Sequence, residues 1–262
     1  MRALSIAATG MQAQQTNVEV IANNLANMNT SGFKAERAQF EDLLYQNVLQ
    51  PGSQTSDTGT MVPAGIQLGA GVRTSSVYRI DTQGDLTQTS NPYDMAIQGD
   101  GFFKVTLPDG TYAYTRAGNF GLSPTGEIVT SDGYTVAPGI AVPPNALSVT
   151  VNNEGQVQAT VPGTSTPTVL GQLELDRFAN DAGLNALGGN LFSETPASGP
   201  PQAGVPGSSG YGTIKQGYLE TSNVNPVNEI TALITAQRAY EMNSKVITAA
   251  NQMMQTTAQL GG

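Results

Sequence analysis

Two pairs of carboxylates are the side chains best suited to do chemistry in this chain. Asp94 and Asp100 flank the segment MAIQG, and Glu174 and Asp176 stand two apart in LELD. Paired carboxylates can cleave a glycosidic bond, one as acid and the other as base or nucleophile. In LELD, strand alternation puts both acids on one face, and that face is expected in solvent. Neither pair sits in an aromatic-rich cleft signature, so structural roles are expected for both. The sequence has no His, Cys or Trp. That excludes disulfides, thiolate nucleophiles, imidazole bases, zinc fingers and Ser-His-Asp triads. The glycines of QGDGFF at 98–103 lack GxGxxG spacing and a closing lysine. They read as a tight turn entering a buried strand at Phe102 and Phe103, not as a phosphate cradle. Catalytic, cofactor and metal residues are all expected to be none.

Charge says more through its position than through its total. The 262 residues carry a net charge of −9, with 12% charged residues against about 25% in an ordinary soluble chain. Residues 34–220 hold 17 acidic and 8 basic side chains, which leaves both ends nearly neutral. An acidic middle without basic clusters argues against nucleic acid. No run approaches the roughly 20 apolar residues of a membrane span, so no direct membrane insertion is expected. Thr9, Gly10 and Gln12 interrupt the N-terminal apolar stretch, which is not a cleavable secretory signal.

The neutral ends must be positioned by helices. Leu4, Met11, Val18 and Leu25 fall on a heptad seam with Ala8, Gln15, Ala22 and Asn29, predicting a helix that stops near 29–32. Leu233, Tyr240, Ile247 and Met254 fall on a second seam with Ile230, Gln237, Ser244, Asn251 and Ala258. Asn225 or Asn228 can cap that helix, with Pro226 in its first turn. Both seams are thin, and the opposite faces carry Gln, Asn, Thr and Ala instead of Lys and Glu. Such helices are marginal alone and are expected to pack against other chains. Gln12, Gln14 and Gln15 are candidates for polar contacts or the lining of a channel.

Between the helices, 51–71 and 195–212 read as Pro/Gly-rich connectors. Met61, Val62, Ile66 and Leu68 suggest that 46–71 is an ordered, extended hairpin or arm rather than a free linker. From about 76 to 192, short β runs (SVYRI, FFKVTL, TYAYTR, EIVT, LSVTV, QVQATV) alternate with PDG, PTG, SDG and NEG turns. The fold class expected is α+β: an all-β central domain, a sandwich or irregular barrel, inserted between paired N- and C-terminal helices. The division expected is 1–33 with 225–262 as helical domain, 34–75 with 205–224 as connector region, and 76–204 as β-rich domain.

The block ANNLANMNTSGFK at 22–34 is a helix end, a polar stop and an aromatic anchor. With AATGMQAQQ at 7–15, FEDLLYQ at 40–46, QGDGFF, GYLETSNV at 217–224 and AQRAYEMNSK at 236–245, it resembles the flagellar rod and hook axial family over the whole chain. Asn23, Asn24, Asn27, Thr30, Gly32 and Phe33 are its motif positions here. Chain length, FEDLLYQ before a Pro/Gly connector, and GYLETSNV are most similar to distal rod members; hook or proximal rod subunits are the alternatives. The resemblance implies a structural subunit exported by the flagellar apparatus without a cleaved signal. It implies ends that order on assembly into a helical homopolymer, a hollow shaft with the terminal helices inside and the β domains outside. Rod subunits below, hook subunits above, surrounding bushing rings and the export apparatus are the implied partners. The implied location is the basal body, across periplasm and outer membrane. A secreted, carboxylate-dependent cell-wall hydrolase is the alternative from a different class.

Overall fold

The computed structural model describes residues 2–52, 64–163 and 166–260. Met61, Val62 and Pro63 of the expected arm lie outside the described residues. The chain forms two compact units: one from 1–25, 36–78 and 225–262, the other from 26–35 and 79–224.

In the first unit, α1 (Arg2–Ala26) is followed by β1 (Glu36–Asp42), β2 (Tyr45–Leu49), β3 (Ile66–Gly69) and β4 (Val72–Arg79). Strands β1 and β4 pair. Strands β2 and β3 form an antiparallel hairpin, with Gln46 opposite Leu68. The ends of the expected arm are therefore a β-ribbon. Its apolar side chains are largely bare, with Val48 58% and Ile66 50% exposed, as is Leu44 just before it, at 89%. Helix α1 stops at Ala26, earlier than expected, because 27–32 turns on bonds from Thr30 N–H to the Asn27 carbonyl and from Phe33 N–H to the Thr30 carbonyl.

The second unit begins its strands with β5 (Leu86–Gln88), β6 (Met95–Gln98), β7 (Phe102–Thr106), β8 (Tyr112–Thr115) and β9 (Gly121–Leu122). It continues with β10 (Ile128–Val129), β11 (Thr135–Val136), β12 (Ser148–Val151), β13 (Gln156–Thr160), β14 (Thr168–Gln172) and β15 (Leu175–Arg177). The last are β16 (Asn185–Gly188), β17 (Leu191–Ser193), β18 (Gln202–Gly204), β19 (Thr213–Gln216) and β20 (Tyr218–Glu220). Among the described residues, nine strands join in one sheet with β7 near its middle, flanked by β8, β11 and β15. Alternation explains the core: β13 buries Val157 and Ala159 between half-exposed Gln and Thr. One face of β7 buries Phe103 and Val105 with Ile97, Ile128, Leu173 and Ile214. Its other face carries Phe102, packed edge-on against Phe178 at 5.9 Å, and then Lys104.

The stretch 195–212 is not the free connector its composition suggests. Strand β18 joins β15, Ser198 is fully buried, and the Tyr211 hydroxyl donates to the Gln202 carbonyl at 3.1 Å. Small residues permit that close packing, and composition alone does not separate it from flexibility.

The chain returns to the first unit as α2 (Pro226–Leu260). Asn225 is its cap, with Oδ1 accepting from the N–H groups of Val227 and Asn228 at 3.1 and 3.2 Å. Helices α1 and α2 run antiparallel, since Gly10 faces Asn243 and Asn24 donates to Glu229 at 3.3 Å. That register sets Arg2 level with about residue 251. No helix among the described residues is long and apolar enough to cross a membrane.

Candidate functional site

The helix pair is the first candidate surface. Gly10 permits the close approach: a Cβ there would stand 2.9 Å from the Asn243 amide nitrogen. Ala7, Ala13, Val20, Ile21 and Asn24 are buried on α1, and Ala236 and Ala250 on α2. Leu4, Met11, Val18, Leu25, Leu233 and Ile247 are half-buried, while Tyr240 and Met254 are exposed. Val18 and Tyr240 are brought together, lining one apolar hollow of about 620 Å³ with Gln15 and Gln237. Gln12 and Gln15 are exposed and Gln14 half-buried, with Gln15 donating to Glu19 at 3.1 Å. Val227, Ile230, Ile234, Met242, Val246 and Met253 leave further apolar surface bare along α2.

The motif 22–34 is built differently, as a clip. Asn24 is buried and exchanges two bonds with the Glu36 backbone. Asn23 is exposed, and the Asn27 side chain accepts from the Thr30 hydroxyl at 3.1 Å. Gly32 adopts φ 70°, and a Cβ there would meet the Ala117 backbone nitrogen at 2.7 Å. Its N–H donates to the Glu220 carbonyl at 2.9 Å. Phe33 is only half-buried; the buried neighbours are Lys34 and Ala35.

Lys34, Arg116 and Glu220 form a buried ionic trio that the sequence reading does not include. The Lys34 ammonium reaches Glu220 Oε1 at 2.5 Å and the Arg116 guanidinium reaches Oε2 at 2.7 Å. Arg116 also donates to the Gly101 carbonyl at 2.5 Å, and Lys34 to the Thr82 carbonyl at 2.9 Å. Burial pushes the Glu220 carboxyl up, but Arg116 and Lys34 together outweigh it and hold it below its ordinary value. At Lys34 burial wins, since Glu220 favours the cation while Arg116 repels it, and its value is lowered. The available signal was a lone Glu inside GYLETSNV.

The members of each carboxylate pair stand in different surroundings. Asp94 is buried and held by the Asn91 amide at 2.8 Å. The Asp100 side chain is 75% exposed, 3.6 Å from Arg177. The expectation for LELD fails at one residue: Glu174 is in solvent, but Asp176 is 1% exposed. Strand β15 is flanked on both edges, by β7 and β18, and the long Lys104 side chain of β7 reaches Asp176 at 3.5 Å.

Three family models match: the flagella basal body rod protein over residues 4–34, the flagellar hook protein FlgE/F/G D1 domain over 96–159, and the flagellar basal body rod FlgEFG protein C-terminal region over 215–260. The flagellar basal-body rod protein FlgG of Caulobacter vibrioides is 56% identical over 99% of both chains. The chain belongs to the flagellar basal-body rod protein family.

This rod protein is similar at 55% identity to FlgG of Agrobacterium fabrum, over 97% of each chain. FlgF of Caulobacter vibrioides matches at 35%, over 96% of this chain and 92% of its own. The rod protein is thus of the FlgG kind, a structural subunit of the distal rod in the flagellar basal body. The first matched segment ends at the clip residue Lys34, and the last takes in Glu220 and all of the described α2. The ionic trio therefore joins both terminal family segments to Arg116 of the middle one.

Proposed function

We propose that the chain polymerises with itself into a hollow, helical drive shaft, which carries torque from motor to hook and passes exported subunits through its channel. In this reading residues 1–33 with 225–262 form the inner tube, with Leu4, Met11, Val18, Leu25, Leu233, Tyr240, Ile247 and Met254 in its helix packing. Residues 34–75 with 205–224 connect, and 76–204 face outward. Subunits of the rod below, of the hook above, the surrounding rings and the export apparatus are its neighbours. The shaft crosses periplasm and outer membrane, and its subunits are exported without a cleaved signal.

The apolar surface left bare on α2, around Ile230, Ile234, Met242 and Val246, is the observation that carries this reading. A soluble helix seldom exposes so many large apolar side chains along one element, and a polymer contact covers them. Sedimentation of concentrated, purified protein tests it, with tubes expected in the pellet. Leu25→Asp would set a charge in the packed tube and abolish growth and motility while leaving export intact. Normal motility of that variant overturns the helix assignment. Soluble sugar released from cell wall by monomer would favour the hydrolase alternative.

A further inference from the structure

A groove of about 620 Å³ opens on the Lys104 face of β7, with Lys104, Tyr112, Glu127, Tyr134, Glu174 and Asp176 among its walls. Three carboxylates face one ammonium, so the groove is anionic. Asp176 is buried, and neither of its carboxylate oxygens receives a hydrogen bond. Its charged neighbour, the Lys104 ammonium, stands 3.5 Å away and 4.9 Å from the Tyr112 ring centroid. Lys104 is thus shared between an anion and an aromatic face and closes fully on neither. Burial pushes the Asp176 carboxyl above its ordinary value, and Lys104 offsets only part of that.

We propose that this groove receives an arginine side chain presented by a partner protein. A guanidinium is planar, stacks on a tyrosine ring and donates two bonds to one carboxylate, whereas an ammonium does neither job as well. Seated on Tyr112 and bonded to Glu174, it displaces the Lys104 ammonium from the ring. Lys104 then closes on Asp176 and supplies the missing hydrogen bond, so the site is bistable, with Lys104 as its moving part. The groove offers nothing for a metal ion, since no set of three suitable ligands converges among the described residues. A second copy is a poor donor. Residues 34–220, which hold every wall of the groove, carry 17 acidic against 8 basic side chains, so two copies of this region repel. The partner is therefore a different chain with a basic, protruding segment.

The test uses the full-length, isotope-labelled chain and three end-capped peptides, Gly-Arg-Gly, Gly-Lys-Gly and Gly-citrulline-Gly. The arginine peptide is expected to give saturable NMR shifts confined to Tyr112, Tyr134, Glu174 and Lys104. The lysine peptide should bind about tenfold more weakly, and the uncharged citrulline peptide should leave the spectrum unchanged. Glu174→Gln and Tyr112→Leu alter exposed side chains, so they keep the fold, and each should weaken binding about fivefold to tenfold. Asp176→Asn should weaken it as well, because Lys104 then stays over the ring. If Asp176→Asn does not fold, the two exposed variants carry the decision. Shifts that fail to saturate, equal binding of citrulline or lysine, or unaltered binding by Glu174→Gln and Tyr112→Leu each overturn the proposal.

Discussion

Asn24 meets Glu36 as a neighbouring strand would. Its Nδ2 donates to the Glu36 carbonyl and its Oδ1 accepts the Glu36 N–H, both at 2.8 Å. A side chain thus completes the backbone pairing at the first residue of β1, on a helix that ends two residues later. Asn24→Ala leaves both Glu36 groups unpaired and is expected to destabilise the chain by about 2 kcal/mol. Asn24→Asp would turn a buried carboxylate oxygen toward the Glu36 carbonyl and the Glu229 carboxylate, so it should destabilise at least as much as Ala. Urea unfolding midpoints check the order, and an Ala variant as stable as the parent refutes it.

Glu220→Gln keeps the shape but leaves Lys34 and Arg116 buried without an anion. At neutral pH the loss should be about 3–5 kcal/mol. Because the folded carboxyl titrates below its ordinary 4.5, its contribution is complete above 4.5 and disappears as pH falls through the lower, folded value. The stability gap between parent and variant should therefore be flat from pH 7 to 5 and shrink below 4.5. A gap that widens on acidification contradicts the trio.

At Gly32 the backbone is left-handed and the missing Cβ would press on the Ala117 and Arg116 backbone at 2.7 and 2.8 Å. Neither neighbour can turn away as a side chain can. Gly32→Ala should lower stability by about 2 kcal/mol or more, whereas Gly10→Ala, facing only the end of Asn243, should be much milder. Thermal melts of the two variants side by side give the comparison, and equal effects would falsify it.

Leu44, in the link that leads into β2, is 89% exposed. Leu44→Asp should shift monomer stability by no more than about 0.5 kcal/mol and yet reduce the yield of sedimenting polymer. Unchanged polymer yield would mean that the β2–β3 ribbon is not an assembly surface.

Much of this could be read from residue order alone, and the reasons for the exceptions are physical. Strands such as 102–106 and 156–160 announce themselves because alternation is local, and the Asn225 cap because its partners lie two and three residues on. Burial within this chain follows other helix positions: α1 buries Ala7, Val20 and Asn24, and α2 buries Ala236 and Ala250, because the heptad seam marks apolar spacing without naming its partner. Asp176 was misplaced because alternation assigns two acids to one side of a strand without saying what covers it. The ionic trio was invisible, as Lys34 and Glu220 are separated by 186 residues and no pattern in either segment names the other.

The antiparallel register of α1 and α2 has a kinetic consequence. With Arg2 level with about residue 251, the last nine described residues of α2 have no α1 beside them, and those whose side chains are described are all exposed. They form about 13 Å of helix, which in the proposed polymer would serve as a toehold. An arriving subunit would be caught there before any existing pairing had to open, and would then zip inward along the bare apolar surface. Capture speed and final tightness would thereby fall to different stretches of one helix, so growth of the polymer would be tuned without loosening the subunit itself.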